Sequence, residues 1–254
     1  METIVAAWAD QQAELSELLT PLDESAWLRP SRCEGWTISD VVLHLAQTNE
    51  MAIASATGQF AASLETLAGG LDGTRSLGSV EDGAGLMVDH ERGQPPSAVY
   101  ERWQAGVEQL DAALRACDPH QRVTWVAGEL SARTLATTRL AETWIHTGDV
   151  AFGLGIDLAR TDRLWHVTRL AWRTLPYAFA GAGRTLAGPV AFELIGPSGA
   201  AWEFLPEEKP STVIRGAGAD LCLVGARRAS PAEVDLRGEG PDAEAVLDLV
   251  RTFA

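Results

Sequence analysis

The spacing of apolar residues changes character at Gly155, and that change restricts the chain to two differently built parts. Before it, apolar side chains recur at the three-and-four spacing of helices that bury one face. Ile4, Val5, Trp8, Leu15 and Leu18-Leu19 keep this spacing through residues 2–20, until Pro21 stops it. Thr37-Ile-Ser-Asp40 has the form of a capping box, with Asp in place of the usual Glu or Gln. It opens a helix to about residue 55 that carries Val41, Val42, His44 and Leu45. Pro95-Pro96-Ser97 starts a third helix, with Val99, Trp103, Val107, Leu110 and Leu114 on one side and Asp118-Pro119 at its end. Ser131 caps a fourth, which carries Leu135, Glu142, Ile145, His146 and Asp149 and ends at Gly153 or Gly155. Between these, residues 122–127 read as a short extended segment. Residues 66–96, rich in Gly, Asp and Ser, read as a long loop with at most a short helix, and long loops in compact domains are often functional lids.

After Gly155 one helix is predicted over 162–180, shortened or kinked by Pro176. Short β-like runs follow at 190–195, 201–205, 212–215, 220–224 and 233–237, with Gly196-Pro-Ser-Gly199 as a hairpin turn between the first two. A closing helix spans 242–253. The fold class is therefore α+β: a helical bundle over residues 1–158, then a small α+β domain over 159–254 with a mainly antiparallel sheet.

A net charge of -15, from 35 acidic against 20 basic residues, argues against nucleic acid and anionic membrane as partners, since both call for a cationic face. No apolar run approaches the roughly 20 residues of a membrane span. The N-terminus lacks the basic and apolar regions of a signal peptide, so the expected location is cytoplasmic and the expected state a monomer or homodimer. Cys33, Cys117 and Cys222 form neither a disulfide framework nor a metal knuckle. Cys33 reads as a small packed thiol in a turn, Cys117 and Cys222 as core.

The chemistry lies in three residues. Glu142 and His146, four apart, stack on one helix face one turn apart, and Asp149 continues that face. His44 sits on another helix, among Leu43 and Leu45. Two imidazoles and one carboxylate would hold a divalent ion with positions left open, the style of a catalytic zinc site. Zn²⁺ suits this set, and Fe²⁺, Ni²⁺ or Co²⁺ would also fit. Asp149 is placed to hydrogen-bond a ligand imidazole. His90 would serve as an acid–base group if the 66–96 loop closes over the site. Arg215, Arg227, Arg228 and Arg237 could bind a substrate carboxylate. Trp36 and Trp144 could line the pocket.

Two stretches carry a family resemblance: Trp27-Leu-Arg-Pro-Ser-Arg-Cys33-Glu-Gly-Trp36-Thr-Ile-Ser-Asp40-Val-Val-Leu-His44, and Arg139-Leu-Ala-Glu142-Thr-Trp-Ile-His146-Thr-Gly-Asp149. A C-x-G-W-T turn, a helical His beyond it and a later E-x-x-x-H-x-x-D together resemble the mycothiol-dependent maleylpyruvate isomerase family, a branch of the DinB-like metal enzymes. The resemblance implies a DinB-like four-helix bundle holding zinc through His44, Glu142 and His146. It also implies a small C-terminal domain of the sterol-carrier-like type, and mycothiol as co-substrate in isomerisation or S-transfer on a small electrophilic, carboxylate-bearing molecule. Two other readings stay open: a thiol-independent metal hydrolase, lyase or cyclase, and a non-catalytic metal- or ligand-binding protein.

Overall fold

The computed structural model describes residues 1–63, 80–126 and 128–252, and the chain divides into two compact units, Met1–Leu158 and Ala159–Ala254. The first is built on four long helices: α1 (Glu2–Leu19), α3 (Ile38–Ala56), α5 (Pro96–Ala116) and α6 (Ala132–Leu154). Two shorter ones, α2 (Glu24–Trp27) and α4 (Val80–Glu91), and the hairpin β1 (Arg122–Trp125) with β2 (Gly128–Ser131), complete it. The long helices are apolar on their facing sides, and Leu15, Leu19, Val42, Leu45, Trp103 and Val150 meet in one core. α3 packs on both α5 and α6, and α1 on α6. Buried amides tie the last pair: the Gln12 amide donates to Thr143 at 2.8 Å and that of Gln11 to Thr147 at 3.2 Å.

The second unit carries a four-stranded sheet in the order β4-β3-β5-β6, made of β3 (Val190–Ile195), β4 (Ala201–Phe204), β5 (Thr212–Ala217) and β6 (Arg237–Glu239). β3 and β4 form the predicted hairpin around Gly196–Gly199, and β5 and β6 are also antiparallel. The central pair, β3 with β5, is parallel, because the chain reverses into β4 and reverses again as it crosses to the other side of β3. Helices α7 (Leu164–Arg173), α8 (Leu175–Gly181), α9 (Gly218–Gly225) and α10 (Ala243–Leu249) and a 3₁₀ turn at Pro231–Glu233 accompany it.

Four local expectations are corrected. Residues 80–91, where a long loop with at most a short helix is expected, form the three-turn helix α4, anchored through buried Met87 and Val88 and through the Met87 carbonyl, which accepts from Gln47 at 3.0 Å; residues 64–79 of that stretch lie outside the described residues. The helix expected over 162–180 is two helices, broken at Thr174 just before Pro176. The apolar run 220–224 is helical in α9 rather than extended. Periodicity does not separate a short buried strand from a short buried helix, and here Leu221, Cys222 and Val224 are buried, with α9 packed on α7. Of residues 233–237, Glu233 ends a 3₁₀ turn, 234–236 lie outside any strand, and the last strand begins only at Arg237.

Candidate metal centre

The site is held by α3, α6 and the turn between Pro30 and Thr37. At the start of α3 the Thr37 hydroxyl accepts from the Asp40 backbone N–H at 3.2 Å while the Asp40 carboxylate accepts from the Thr37 N–H at 2.8 Å. The capping box thus closes with Asp in the role of Glu. Ser131 caps α6 by accepting from Thr134 N–H, and Gly155 ends it in the left-handed conformation, φ 74°. Both helices are therefore fixed at their ends, and the residues facing each other across them are set by the helical repeat.

Across that contact His44, Glu142 and His146 present one donor atom each, all within 4.8 Å of one another. His44 Nε2 lies 3.5 Å and His146 Nε2 3.6 Å from the same oxygen, Glu142 Oε2. Both separations exceed a good N–H···O bond, which peaks near 2.9–3.0 Å. They are instead the edge lengths of a tetrahedron, because ligand atoms ~2.1 Å from a central ion sit about 3.4 Å apart. His44 sharpens the point. It is 6% exposed, and among the described residues its Nδ1 has no hydrogen-bond partner and its Nε2 only the long approach to Glu142. A buried imidazole with no good bond on either nitrogen is a rare arrangement in a folded protein. A divalent cation between the three donors would satisfy it.

The opposite edge of His146 is fully engaged. Its Nδ1 lies 3.0 Å from Asp149 Oδ2, and the Cys33 thiol donates to the same oxygen at 3.2 Å. Asp149 is completely buried. A carboxylate there holds the proton on Nδ1 and turns Nε2 toward Glu142 and His44, as the outer partner of a metal-bound histidine does. The neighbours also shift the ionisation of the three groups. Burial would depress the His146 pKa, but the bonds with Asp149, Cys33 and Glu142 outweigh it and hold the group well above its ordinary value. Burial would raise Glu142, yet its bonds with His146 and His44, aided by the Arg139 charge, hold it well below the usual carboxylate range. His44 is depressed, chiefly by burial. Trp36 leans against His44, ring centroids 5.3 Å apart, and the two imidazoles meet edge to face at 4.9 Å.

Cys33 is the residue that sequence reasoning undervalued. It was placed in a packed turn, which is right, but the turn itself sits on α6. The Arg32 N–H donates to the Asp149 carbonyl, and Ser31 and Trp36 close the turn through backbone bonds. Cys33, His146 and Asp149 consequently form a second cluster of donor atoms within 4.8 Å. The close approach depends on Gly153, where a β-carbon would stand 2.5 Å from the Pro30 carbonyl oxygen. Gly153→Ala is expected to destabilise the first unit by about 1–3 kcal/mol, the usual penalty for overpacking, and to loosen the Cys33 turn. Urea denaturation would measure the first effect and the rate of Cys33 alkylation the second; unchanged values in both would contradict this packing.

His90 is exposed in the last turn of α4. In the second unit, Arg215 is paired with Glu193 and Glu239, Arg237 with Asp235, and Arg227 donates to the Val224 and Asp248 carbonyls. Arg228 donates to the Ala226 carbonyl. Burial pushes the Cys222 thiol up to about 12, and Cys117 is raised for the same reason. Trp144 is half-buried on α6.

Residues 8–151 match the family model described as the mycothiol maleylpyruvate isomerase N-terminal domain, a span holding all three donors, Asp149 and Cys33. The chain belongs to this family. Two sequences from strains of Mycobacterium tuberculosis, each named only as an uncharacterized protein, are 32% identical over 251 residues, covering 97% of this chain and 94% of theirs. Two crystal structures, of the mycothiol-dependent maleylpyruvate isomerase and of a point mutant of it, align over 95% of both chains with TM-scores of 0.60 and 0.59. Identity to them is 20% and 19%, so they establish a shared fold. Among the described residues no helix is long and apolar enough to cross a membrane.

Proposed function

We propose that the protein is a divalent-metal enzyme of the mycothiol-dependent isomerase or S-transferase type, with His44, Glu142 and His146 as ligands of zinc or a similar ion. The observation that carries this reading is the convergence of two buried imidazoles and the half-buried Glu142 carboxylate at separations longer than good hydrogen bonds and suited to a tetrahedral ion. Family membership supports mycothiol as the thiol, since the family model is named for it.

An ion in this set would supply the positive charge that lowers the pKa of a coordinated thiol or water. Everything else is the work of the chain. Two neutral imidazoles and a single carboxylate leave positive charge in the site to favour a thiolate. Three protein donors leave positions for thiol and substrate. Asp149 fixes the tautomer and direction of His146. Trp36 shields the His44 side from water. Glu142, the more open of the donors at 19% side-chain exposure, marks the side of approach. Thiolate attack on an electrophilic double bond, rotation and elimination would give isomerisation; attack with loss of a leaving group would give S-transfer.

The test is turnover of maleylpyruvate and other small electrophiles with and without mycothiol. Product formation that needs both thiol and metal is expected. Metal-dependent turnover that persists without thiol would transfer the scaffold to the hydrolase, lyase or cyclase reading. Asp149→Asn should lower zinc affinity about 10–100-fold with little change in fold, because the amide cannot impose the same tautomer. Competition with a chromophoric chelator measures this, and an unchanged affinity would remove Asp149 from the site.

A further inference from the structure

Arg139 is the single buried arginine among the described residues, 4% exposed, and it lies on α6 three residues before Glu142 and seven before His146. That spacing puts it on the same helix face as both. Its guanidinium carbon stands 4.9 Å from the Trp125 ring centroid, so one face of the cation is stacked. Among the described residues its buried Nε has no hydrogen-bond partner, and no carboxylate lies within ion-pair distance. Glu142, the nearest candidate, turns Oε2 to the two histidines. Two less buried arginines of the same unit are paired. Arg102, less buried, is clamped by Glu50 and Glu91, and Arg92 reaches Asp40 and Asp89. The most desolvated arginine among the described residues thus has no carboxylate against it.

An arginine keeps its charge when buried, and a buried charge is unfavourable unless it is paired. Stacking on Trp125 covers a face of the guanidinium but not the N–H donors in its plane, which are the groups shaped for a carboxylate. Burial pulls Arg139 below the ordinary arginine value with Glu142 opposing, and the Arg139 charge in turn weighs on both His44 and Glu142. The cation therefore acts on the donor cluster itself.

We infer that Arg139 anchors a carboxylate of the electrophilic substrate, holding it against Trp125 and beside the metal ligands. This deepens the proposed function and rests on it for the word substrate. The carboxylate grip expected of Arg215, Arg227 and Arg237 is assigned instead to a residue of the first unit, on the helix that carries two of the three ligands. The substrate class follows: small anionic electrophiles, with neutral analogues poorly accepted.

Succinate is the probe and neutral succinamide its control, titrated calorimetrically into the zinc-loaded full chain and again after chelation. Wild-type protein is expected to bind succinate and not succinamide in both states. Arg139→Met should weaken succinate binding about tenfold or more while retaining zinc, and Arg139→Lys, which keeps charge but lacks the planar fork, should fall between. Where the Met variant does not fold, the Lys variant carries the comparison. Absence of succinate binding by wild-type protein, or equal binding by a folded Arg139 variant, would overturn the inference. Zinc uptake is read separately: a chain that binds no zinc but binds succinate through Arg139 keeps this inference and loses the metal reading. The converse result does the opposite.

Discussion

Glu142→Ala is expected to empty the centre of metal. Glu142 Oε2 is the one atom that both imidazoles approach, at 3.5 and 3.6 Å, so its loss removes the ligand that spans α3 and α6. Loss of an outer partner alone commonly costs 10–100-fold in metal affinity. Loss of a ligand should exceed that, and a reduction of about 10³-fold is expected. His44→Ala should do the same by removing the only donor from α3. Equilibrium dialysis against zinc, with metal analysis of the dialysed protein, checks both. Near-stoichiometric zinc in either variant would mean that the three donors are not the site.

Chelation of the parent protein should have the next largest effect, on stability. At free zinc near 1,000 times Kd, a ligand bound only by the folded state contributes about 4 kcal/mol. For a unit of this size each kcal/mol moves Tm by about 2–4 °C, so removal of metal should lower the first unit's transition by about 10 °C. Glu142→Ala should show no further shift on chelation, since it has no metal to lose. Re-addition of zinc should restore the parent alone. A parent Tm indifferent to chelator and to zinc would contradict a metal bridge between α3 and α6.

Much of this was legible in the sequence because it rests on short-range rules. The Thr37-Asp40 box, the Ser131 cap and the terminal Gly155 fix where α3 and α6 begin and end. Once those are fixed, a spacing of four places Glu142 and His146 together without tertiary information. That His44 meets them is a tertiary fact, suggested by its apolar neighbours and by the family resemblance. What was not legible depended on contacts between distant segments. Cys33 and Asp149 are 116 positions apart and meet only because Gly153 lets the Pro30 turn lie against α6. Arg139 reads in sequence as an ordinary helix-face cation; its burial under Trp125 needs the β1–β2 hairpin, and β2 carries too weak a pattern to predict. In the second unit the run 220–224 reads as strand because its four apolar residues, Leu221 to Val224, have no period to distinguish strand from helix, whereas the hairpin at Gly196–Gly199 has an explicit turn signal.

The most direct test of a metal centre that takes up a thiol is optical. Cobalt(II) in place of zinc gives visible bands that report coordination, and a thiolate on the ion adds a charge-transfer band in the near ultraviolet. Titration of the cobalt-loaded protein with mycothiol should produce that band at neutral pH, saturably, in the parent and not in Glu142→Ala. A tetrahedral cobalt spectrum that mycothiol leaves unchanged would contradict the account, by showing a metal held at His44, Glu142 and His146 that does not bind the thiol.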